Sequence, residues 1–267
     1  MSEYNVLSVT YTLKRELTAS VESLFNLNGP WVGSSELAAA ISHISVGTPT
    51  DILTERWDRI NALGGASSVL TQASGETFAT ATELTSLSRL AADAGDQVQA
   101  SWLAHRADSA LRAAVETTLP ILRGEERLLT VSAATNALTR LGYYLATSAG
   151  DRCTGLLAER DHHVIAVLVQ EGGSMQVDNA GLSGGGCAVP MREFQDALRR
   201  EGLEATVSSR AEHGDDRGGT LIRRAAAVSP DDLVSGLVLQ QERPTSARRR
   251  PVTVISTESA GQRQSGA

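Results

Sequence analysis

Cysteine, lysine and aromatic residues are scarce in this sequence. Its two cysteines, Cys153 and Cys187, are too few for a disulfide scaffold, and they are typical of a protein from a reducing compartment. Lysine occurs once, at Lys14, against many arginines, which is typical of a GC-rich bacterial genome. Aromatic residues make up 4% of a chain that is 41% hydrophobic. The core must therefore consist mainly of leucine, valine and alanine, which favours packed helices.

Long hydrophobic runs are also lacking. No apolar run approaches the roughly 20 residues that a membrane helix needs. The first residues, 1–4, do not begin the basic region and apolar core of a signal peptide. We therefore expect a cytoplasmic protein that does not enter a membrane.

Negative charge predominates, but it is unevenly distributed. The net charge is −7, to which residues 1–150 contribute −5, residues 151–242 contribute −6 and residues 243–267 contribute +4. An acidic body repels the phosphate backbone of nucleic acids. We therefore expect no nucleic-acid partner.

The spacing of apolar residues predicts a mostly helical domain over residues 1–149. It begins with a strand pattern at residues 5–13, where apolar and polar residues alternate. Thr48, Pro49 and Asp51 have the order of a helix start, with an N-cap, a proline at the first helical position and an acid at the third. The domain is predicted to be an α-helical bundle.

The longest periodic stretch, residues 76–148, predicts a long helical hairpin. Pro120 and Gly124 mark the expected break, after which a second helix covers residues 125–148. The apolar stripe of the first helix is Leu84, Leu87, Ala91, Ala94 and Val98. This hairpin is expected to supply much of the helical core.

The rest of the chain predicts a small ββαββα domain over residues 162–241, behind a polar joint at residues 150–161. Its strands are expected at residues 164–169, 175–178, 203–208 and 220–226, with helices at residues 190–201 and after Ser229. The sheet is expected to be mainly antiparallel, so that the fold class is α+β. From its polar composition, the segment 242–267 is predicted to be a mobile tail.

A glycine-rich loop between the second strand and the helix is the first candidate site. Backbone N–H groups in such a loop can bind an anion, and the glycines concerned are Gly181, Gly184, Gly185 and Gly186. The loop lacks the lysine and hydroxyl of a Walker motif. A tight turn that needs positive φ explains the same glycines, so the structural interpretation and a weak anion site both stay open.

Cys187 and His213 are the candidate catalytic residues. A thiol just before a helix N-terminus is activated by the helix dipole. His162, His163 or His213 would have to supply the base, with Asp178 or Asp215 to orient it. The structural alternative is a small buried cysteine in a tight corner. No Cys-x-x-Cys spacing joins Cys153 to these residues, so no metal site and no cofactor are predicted.

A short motif in the loop and the following helix has a recognisable spacing. It consists of Gly181, Gly184, Cys187, Met191, Phe194 and Leu198. The motif resembles a small bacterial domain of unknown function that has a strand pair, a Gly-x-x-Gly-x-x-Cys turn and an amphipathic helix. Such domains tend to be encoded near MoxR-type AAA+ ATPases and von Willebrand factor A partners. The resemblance covers residues 164–200 and implies protein partners, an AAA+ ATPase among them, but no active site.

Three functions remain open. The first is a non-catalytic interaction or adaptor protein of a bacterial multi-protein system. The second is a cysteine-dependent or anion-binding or nucleotide-binding enzyme centred on residues 181–187, and the third is a structural protein that self-assembles into a homo-oligomer. The first is favoured, because the sequence contains no acid–base pair, no metal-ligand spacing and no complete phosphate loop.

Overall fold

The protein has an α+β fold, as the sequence predicts. The computed structural model describes residues 6–10, 32–181, 188–209, 219–229 and 231–242. The described elements of the first half are β1 (Val6–Thr10), α1 (Ser34–Ala40), α2 (Pro49–Ala62), α3 (Ala66–Asp93) and α4 (Gln97–Arg140). Those of the second half are β2 (Tyr144–Ala149), β3 (Cys153–Arg160), β4 (His163–Gln170), β5 (Met175–Ala180), α5 (Ala188–Arg200), β6 (Glu204–Ser209), α6 (Thr220–Val228) and α7 (Leu233–Glu242). Of the predicted tail, residues 243–267 lie outside the described residues.

The start of α2 is confirmed as a capping box. The Asp51 backbone N–H donates to Thr48 Oγ1 over 3.3 Å, and the Thr48 backbone N–H donates to the Asp51 carboxylate over 3.0 Å. Pro49 is the first helical residue. These hydrogen bonds lower the pKa of Asp51, because they favour the ionised carboxylate.

The helical hairpin consists of α3 and α4, and its turn lies at Gly95. The φ of Gly95 is 80°, in the left-handed region that glycine tolerates. Its N–H donates to the Ala92 carbonyl over 3.0 Å, and the Asp96 N–H donates to the Ala91 carbonyl over 2.9 Å. This pair of bonds is the Schellman motif, which ends α3. The Asp96 side chain then accepts from the Gln99 N–H and caps α4.

α4 continues through Pro120, so the predicted break at residues 120–124 is wrong. A proline inside a helix costs about 3 kcal/mol, because the carbonyl four residues earlier loses its donor. Here that carbonyl belongs to Glu116, which is exposed, so that water can hydrate it. Leu119 and Leu122 are buried in the helical core. Burial of each stabilises the helix by about 2 kcal/mol, which offsets the loss.

α4 ends earlier than the predicted second helix. Gly142, with a φ of 82°, donates its N–H to the Thr139 carbonyl, and the Tyr143 N–H donates to the Leu138 carbonyl. This is a second Schellman motif. Residues 144–148, which the sequence assigns to the helix, therefore form most of β2.

The strands form one antiparallel sheet in the order β2-β3-β4-β5-β1-β6. β4, β5 and β6 confirm the strands predicted at residues 164–169, 175–178 and 203–208. β1 lies between β5 and β6 and is antiparallel to both. The N-terminal strand therefore joins the sheet of the second half of the chain.

Two segments of the second half differ from the prediction. Residues 150–161, predicted as a polar joint, contain β3, which pairs with β2 and β4. This central strand is mostly buried on both faces, so it does not alternate in the way that identifies a half-buried strand. Residues 220–226, predicted as a strand, belong to α6. Leu221, Ile222 and Ala225 are its buried positions, at helical spacing.

Helices cover both faces of the sheet. On one face the sheet packs against α4 and α5, through residues that include Ala134, Ala137, Leu138, Ile165, Val167, Phe194 and Leu198. On the other face it packs against α6 and α7, through Cys153, Ala166, Leu168, Leu221, Ala225, Leu237 and Val238. The first half of α4 contributes to a separate helical core with α1, α2 and α3, through Leu111, Ala114, Val115 and Leu122. One helix therefore serves both cores.

The N-terminus of α6 is capped by a side chain from the sheet. Asp178 Oδ1 accepts from the Gly219 N–H over 2.9 Å, and Oδ2 accepts from the Ile222 N–H over 3.1 Å. The carboxylate satisfies helix donors that would otherwise be free and faces the positive end of the helix dipole. A Cβ at Gly219 would lie 2.3 Å from Asp178 Oδ1, so this approach requires glycine.

Replacing Asp178 with alanine should lower the free energy of unfolding by about 1–2 kcal/mol, because the N-terminus of α6 loses its cap. Asp178→Asn keeps an acceptor oxygen and should cost less. Urea denaturation followed by circular dichroism measures both. The control is Asp196→Ala, since Asp196 is exposed and its pair with Arg199 on α5 should change stability by no more than about 0.5 kcal/mol. Equal losses for the two alanine variants would contradict the assignment.

Candidate functional site

Most of the predicted reactive residues lie outside the described part of the chain. Cys187 and the glycines at 184–186 fall in the gap 182–187, and His213 falls in the gap 210–218. The catalytic and anion-binding hypotheses for these residues stay predictions.

Gly181, the first glycine of the loop, belongs to the part of the chain that the structure describes. Its backbone geometry explains why a glycine stands there. Its φ is 89°, and a Cβ there would lie 2.0 Å from the His162 carbonyl oxygen. Any other residue would collide with the backbone of the neighbouring strand connection. At this position, the interpretation of the glycine as a turn residue accounts for the geometry.

The two adjacent histidines lie in different environments. Asp161 and His162 have positive φ values of 49° and 67° and make a two-residue turn between β3 and β4. His162 is exposed, whereas His163 is 5% exposed. Within the described ranges, no group of three or more histidine, cysteine, aspartate or glutamate side chains could hold a metal ion.

His163 belongs to a buried polar group that we call the Tyr–His cluster, made of Tyr143, Arg160 and His163. Tyr143 Oη lies 2.7 Å from His163 Nδ1, and the two rings meet edge to face with centroids 5.7 Å apart. The Arg160 guanidinium lies 4.6 Å from the centroid of the Tyr143 ring and donates to the Leu141 carbonyl over 2.5 Å. The cluster thereby ties the C-terminal end of α4 to β3 and β4.

The second ring nitrogen of His163, Nε2, lacks a hydrogen-bond partner among the described residues. This nitrogen is buried. A neutral imidazole that accepts the Tyr143 hydroxyl proton at Nδ1 carries its own proton on Nε2. Leaving such a donor unpaired costs about 1–3 kcal/mol, and protonation of the ring would add a buried charge.

Burial disfavours a charge on either ring of the Tyr–His cluster. Burial lowers the pKa of His163 below its ordinary value of 6.5, and the Arg160 charge lowers it further. Burial raises the pKa of Tyr143, which Arg160 opposes and Glu193 of α5 supports. The Tyr143 hydroxyl engages His163 Nδ1, and each of the two residues is only 5% exposed, which limits the access of a substrate to them. The geometry therefore favours a proton-sensitive structural contact over catalysis.

Sequence patterns alone do not identify Tyr143 and Arg160 as members of this cluster. The sequence assigns Tyr143 to a helix at residues 125–148 and Arg160 to a polar joint at residues 150–161, so it does not place them side by side. Gly142 was the available signal, because a glycine after a basic last turn marks a helix end.

Two other residues weighed from the sequence have structural roles. Asp178 caps α6 and does not contact a histidine of the described chain. Cys153 is fully buried in the apolar layer under α7, with Sγ 3.9 Å from the Val238 carbonyl oxygen. A thiol in this setting acts as a small packing residue.

Glu126 forms a second buried polar contact, at the junction of the helical half and the sheet. Its carboxylate accepts from the Ser34 N–H over 2.6 Å and from Ser34 Oγ over 2.7 Å. Burial raises the pKa of Glu126, and the bonds from Ser34 oppose this. A Cβ at Gly172, in the turn before β5, would lie 3.6 Å from Glu126 Oε2. The contact brings α1, α4 and this turn together.

The end of the hairpin at the Gly95 turn carries exposed apolar side chains. Those that we call the hairpin tip are Leu87, Leu90, Val98 and Trp102. Val98 is 84% exposed and Trp102 is 56% exposed, and the Arg106 guanidinium lies 4.8 Å from the centroid of the Trp102 ring. Leu87 and Val98 belong to the stripe that the sequence assigns to the helical core. Because the turn lies at Gly95, this stripe instead spans both helices at the exposed end of the hairpin.

α2 covers part of the same hairpin. Leu53 packs against Ala104, and Arg56 Nε donates to Asp108 Oδ1 in a largely buried ion pair. Among the described residues no element covers the hairpin tip in this way, since its side chains are exposed. Single exposed apolar residues are ordinary on protein surfaces, whereas groups of them are a feature that interaction surfaces share.

Comparison with models of protein families, with curated proteins and with solved structures found no match for this chain. The resemblance to a domain encoded near AAA+ ATPases therefore stays a prediction. Among the helices that the structure describes, none is long and apolar enough to cross a membrane.

His163 should make the protein less stable in mild acid. Its pKa is lower in the folded protein than in the unfolded chain, so its contribution is fully present above about pH 6.5 and is lost as the pH falls towards the folded value. His163→Asn keeps an acceptor near Nδ1 for the Tyr143 hydroxyl but does not titrate. Urea denaturation between pH 7.5 and pH 5 should therefore show a smaller loss of stability in the variant.

His162→Asn is the matched control, because His162 is exposed. It should follow the wild-type pH dependence. If His163→Asn also followed it, the buried imidazole would not be the group that responds to pH.

Proposed function

We propose that this protein is a non-catalytic adaptor that binds another protein through the hairpin tip. The observation that carries the proposal is the grouping of large, exposed apolar side chains on α3 and α4 around the Gly95 turn. Free energy is gained when such side chains leave water, at about 25 cal/mol per Å² of apolar surface. A partner protein with an apolar groove would provide that burial.

The composition of the hairpin tip suits protein recognition. Trp and Arg are enriched among the residues that dominate binding energy, and here Trp102 and Arg106 lie stacked together at the surface. The two helices that present them are packed along their length, so little order has to be gained on binding. The geometry favours a partner protein whose surface has a groove into which the hairpin tip fits.

Other properties of the chain support a protein partner over other classes. The net charge of −7 disfavours nucleic acid. The geometry of the Tyr–His cluster supports a structural role for these residues rather than a catalytic one. An AAA+ ATPase is the class of partner to test first, since the resemblance at residues 164–200 implies one.

The test compares two sets of exposed residues. The double variant Val98→Ser, Trp102→Ser should bind a purified partner at least about 30-fold more weakly than wild type, since a tryptophan hot spot contributes about 2 kcal/mol or more. Partners are first captured from the native host and then measured individually by calorimetry. Both positions are exposed, so thermal stability should not change.

Val46→Ser is the matched control, because Val46 is 82% exposed and lies in the loop before α2. It should bind as wild type does. Unchanged affinity in the double variant would contradict the proposal, as would an equal loss in the Val46 variant.

A further inference from the structure

Among the described strands, β2 and β6 are the two edges of the sheet, and β2 is the edge considered for a further strand. It pairs with β3 in an uninterrupted antiparallel register, from Tyr144 opposite Glu159 to Ala149 opposite Thr154. Within the described chain no strand lies beyond it. Alternate residues of an edge strand direct their N–H and C=O groups away from the sheet. β2 therefore offers the main-chain groups of about three residues to a further strand.

The sequence of β2 lacks the residues that usually protect an edge. Its sequence, YLATSA, contains no charged residue and no proline. Its side chains are small apart from Leu145 and Tyr144, and Tyr144 is 85% exposed. Charged residues, prolines and bulges are the means by which proteins prevent edge pairing. Without them, the edge can accept an extended chain through main-chain hydrogen bonds.

We propose that β2 is a dimerisation strand that pairs antiparallel with β2 of a second copy. The two-fold axis is normal to the sheet, so each face continues across the dimer and each residue lies opposite one of the same parity. A pairing centred on Thr147 meets this condition. It places Tyr144 opposite Gly150 and Leu145 opposite Ala149, with about six main-chain hydrogen bonds.

Three features of the chain favour a second copy over a foreign strand. Each end of the pairing has an aromatic residue opposite a glycine, which covers the bare backbone of the glycine. The two Thr147 side chains lie opposite each other, and such threonine pairs stabilise a sheet. β2 contains no charged residue, so pairing with itself places no like charges opposite each other.

The dimer should depend on concentration. Strand pairing alone buries less surface than the about 1,200–2,000 Å² of a standard stable interface, so dissociation is expected in the micromolar range. The β2 edge is separate from the hairpin tip. Dimerisation can therefore fail or succeed independently of the proposed adaptor function.

Sedimentation velocity over a range of protein concentrations tests the pairing. The wild-type chain should change from monomer to dimer as concentration rises. Thr147→Lys and Thr147→Glu should each remain monomeric at concentrations where wild type is dimeric, because like charges would then lie directly opposite. An equimolar mixture of the two variants should restore the dimer, because opposite charges then face each other.

Two controls keep the result interpretable. The double variant Val98→Ser, Trp102→Ser should dimerise as wild type does. Amide hydrogen exchange of those β2 residues whose N–H groups face away from β3 should slow in wild type at high concentration, which reports pairing without any substitution. A wild-type chain that stays monomeric at every concentration, or a dimer that survives in both Thr147 variants, would overturn the proposal.

Discussion

The structure depends on the continuity of α4. This helix has 44 residues and is about 66 Å long, and its two halves belong to different cores. Leu111 and Leu122 lie in the helical core, whereas Ala137 and Leu138 lie against the sheet. Between them, Pro120 is tolerated because Glu116, whose carbonyl loses its donor, is exposed, and because the buried Leu119 and Leu122 offset the loss. A break there would leave two small cores without a shared element.

The two ends of α4 have different roles because of this continuity. Its first turns, with the end of α3, project beyond both cores, so the hairpin tip stays exposed and carries the proposed adaptor surface. Its C-terminal end is fixed to the sheet by the contacts of Tyr143 with Arg160 and His163. A partner at the hairpin tip is thereby held at a set distance from the sheet and its β2 edge.

Local patterns identified much of the fold. The capping box at Thr48, the apolar run of β4 and the alternation in β5 and β6 were sufficient, because each is set by neighbouring residues. Longer-range effects could not be predicted from the sequence. Whether the turn between the two helices lies at Gly95 or at Pro120 depends on which residues around each position are buried. β3 was missed because it is buried on both faces and so does not alternate, and because, unlike β4, its sequence CTGLLAER has no long apolar run. The contact of Tyr143 with His163 joins residues from different elements, so no spacing in the sequence predicts it.

Amide hydrogen exchange across the middle of α4 tests this account most directly. In a continuous helix, the amides of residues 122–126 are protected and exchange only when both cores open, as slowly as the buried amides on either side. We expect their opening free energy to match that of residues 111–119 and 133–138 within about 1 kcal/mol. Exchange of residues 122–126 at the rate of an unstructured chain would instead mean that the helix is broken at Pro120 and that the two cores are held separately.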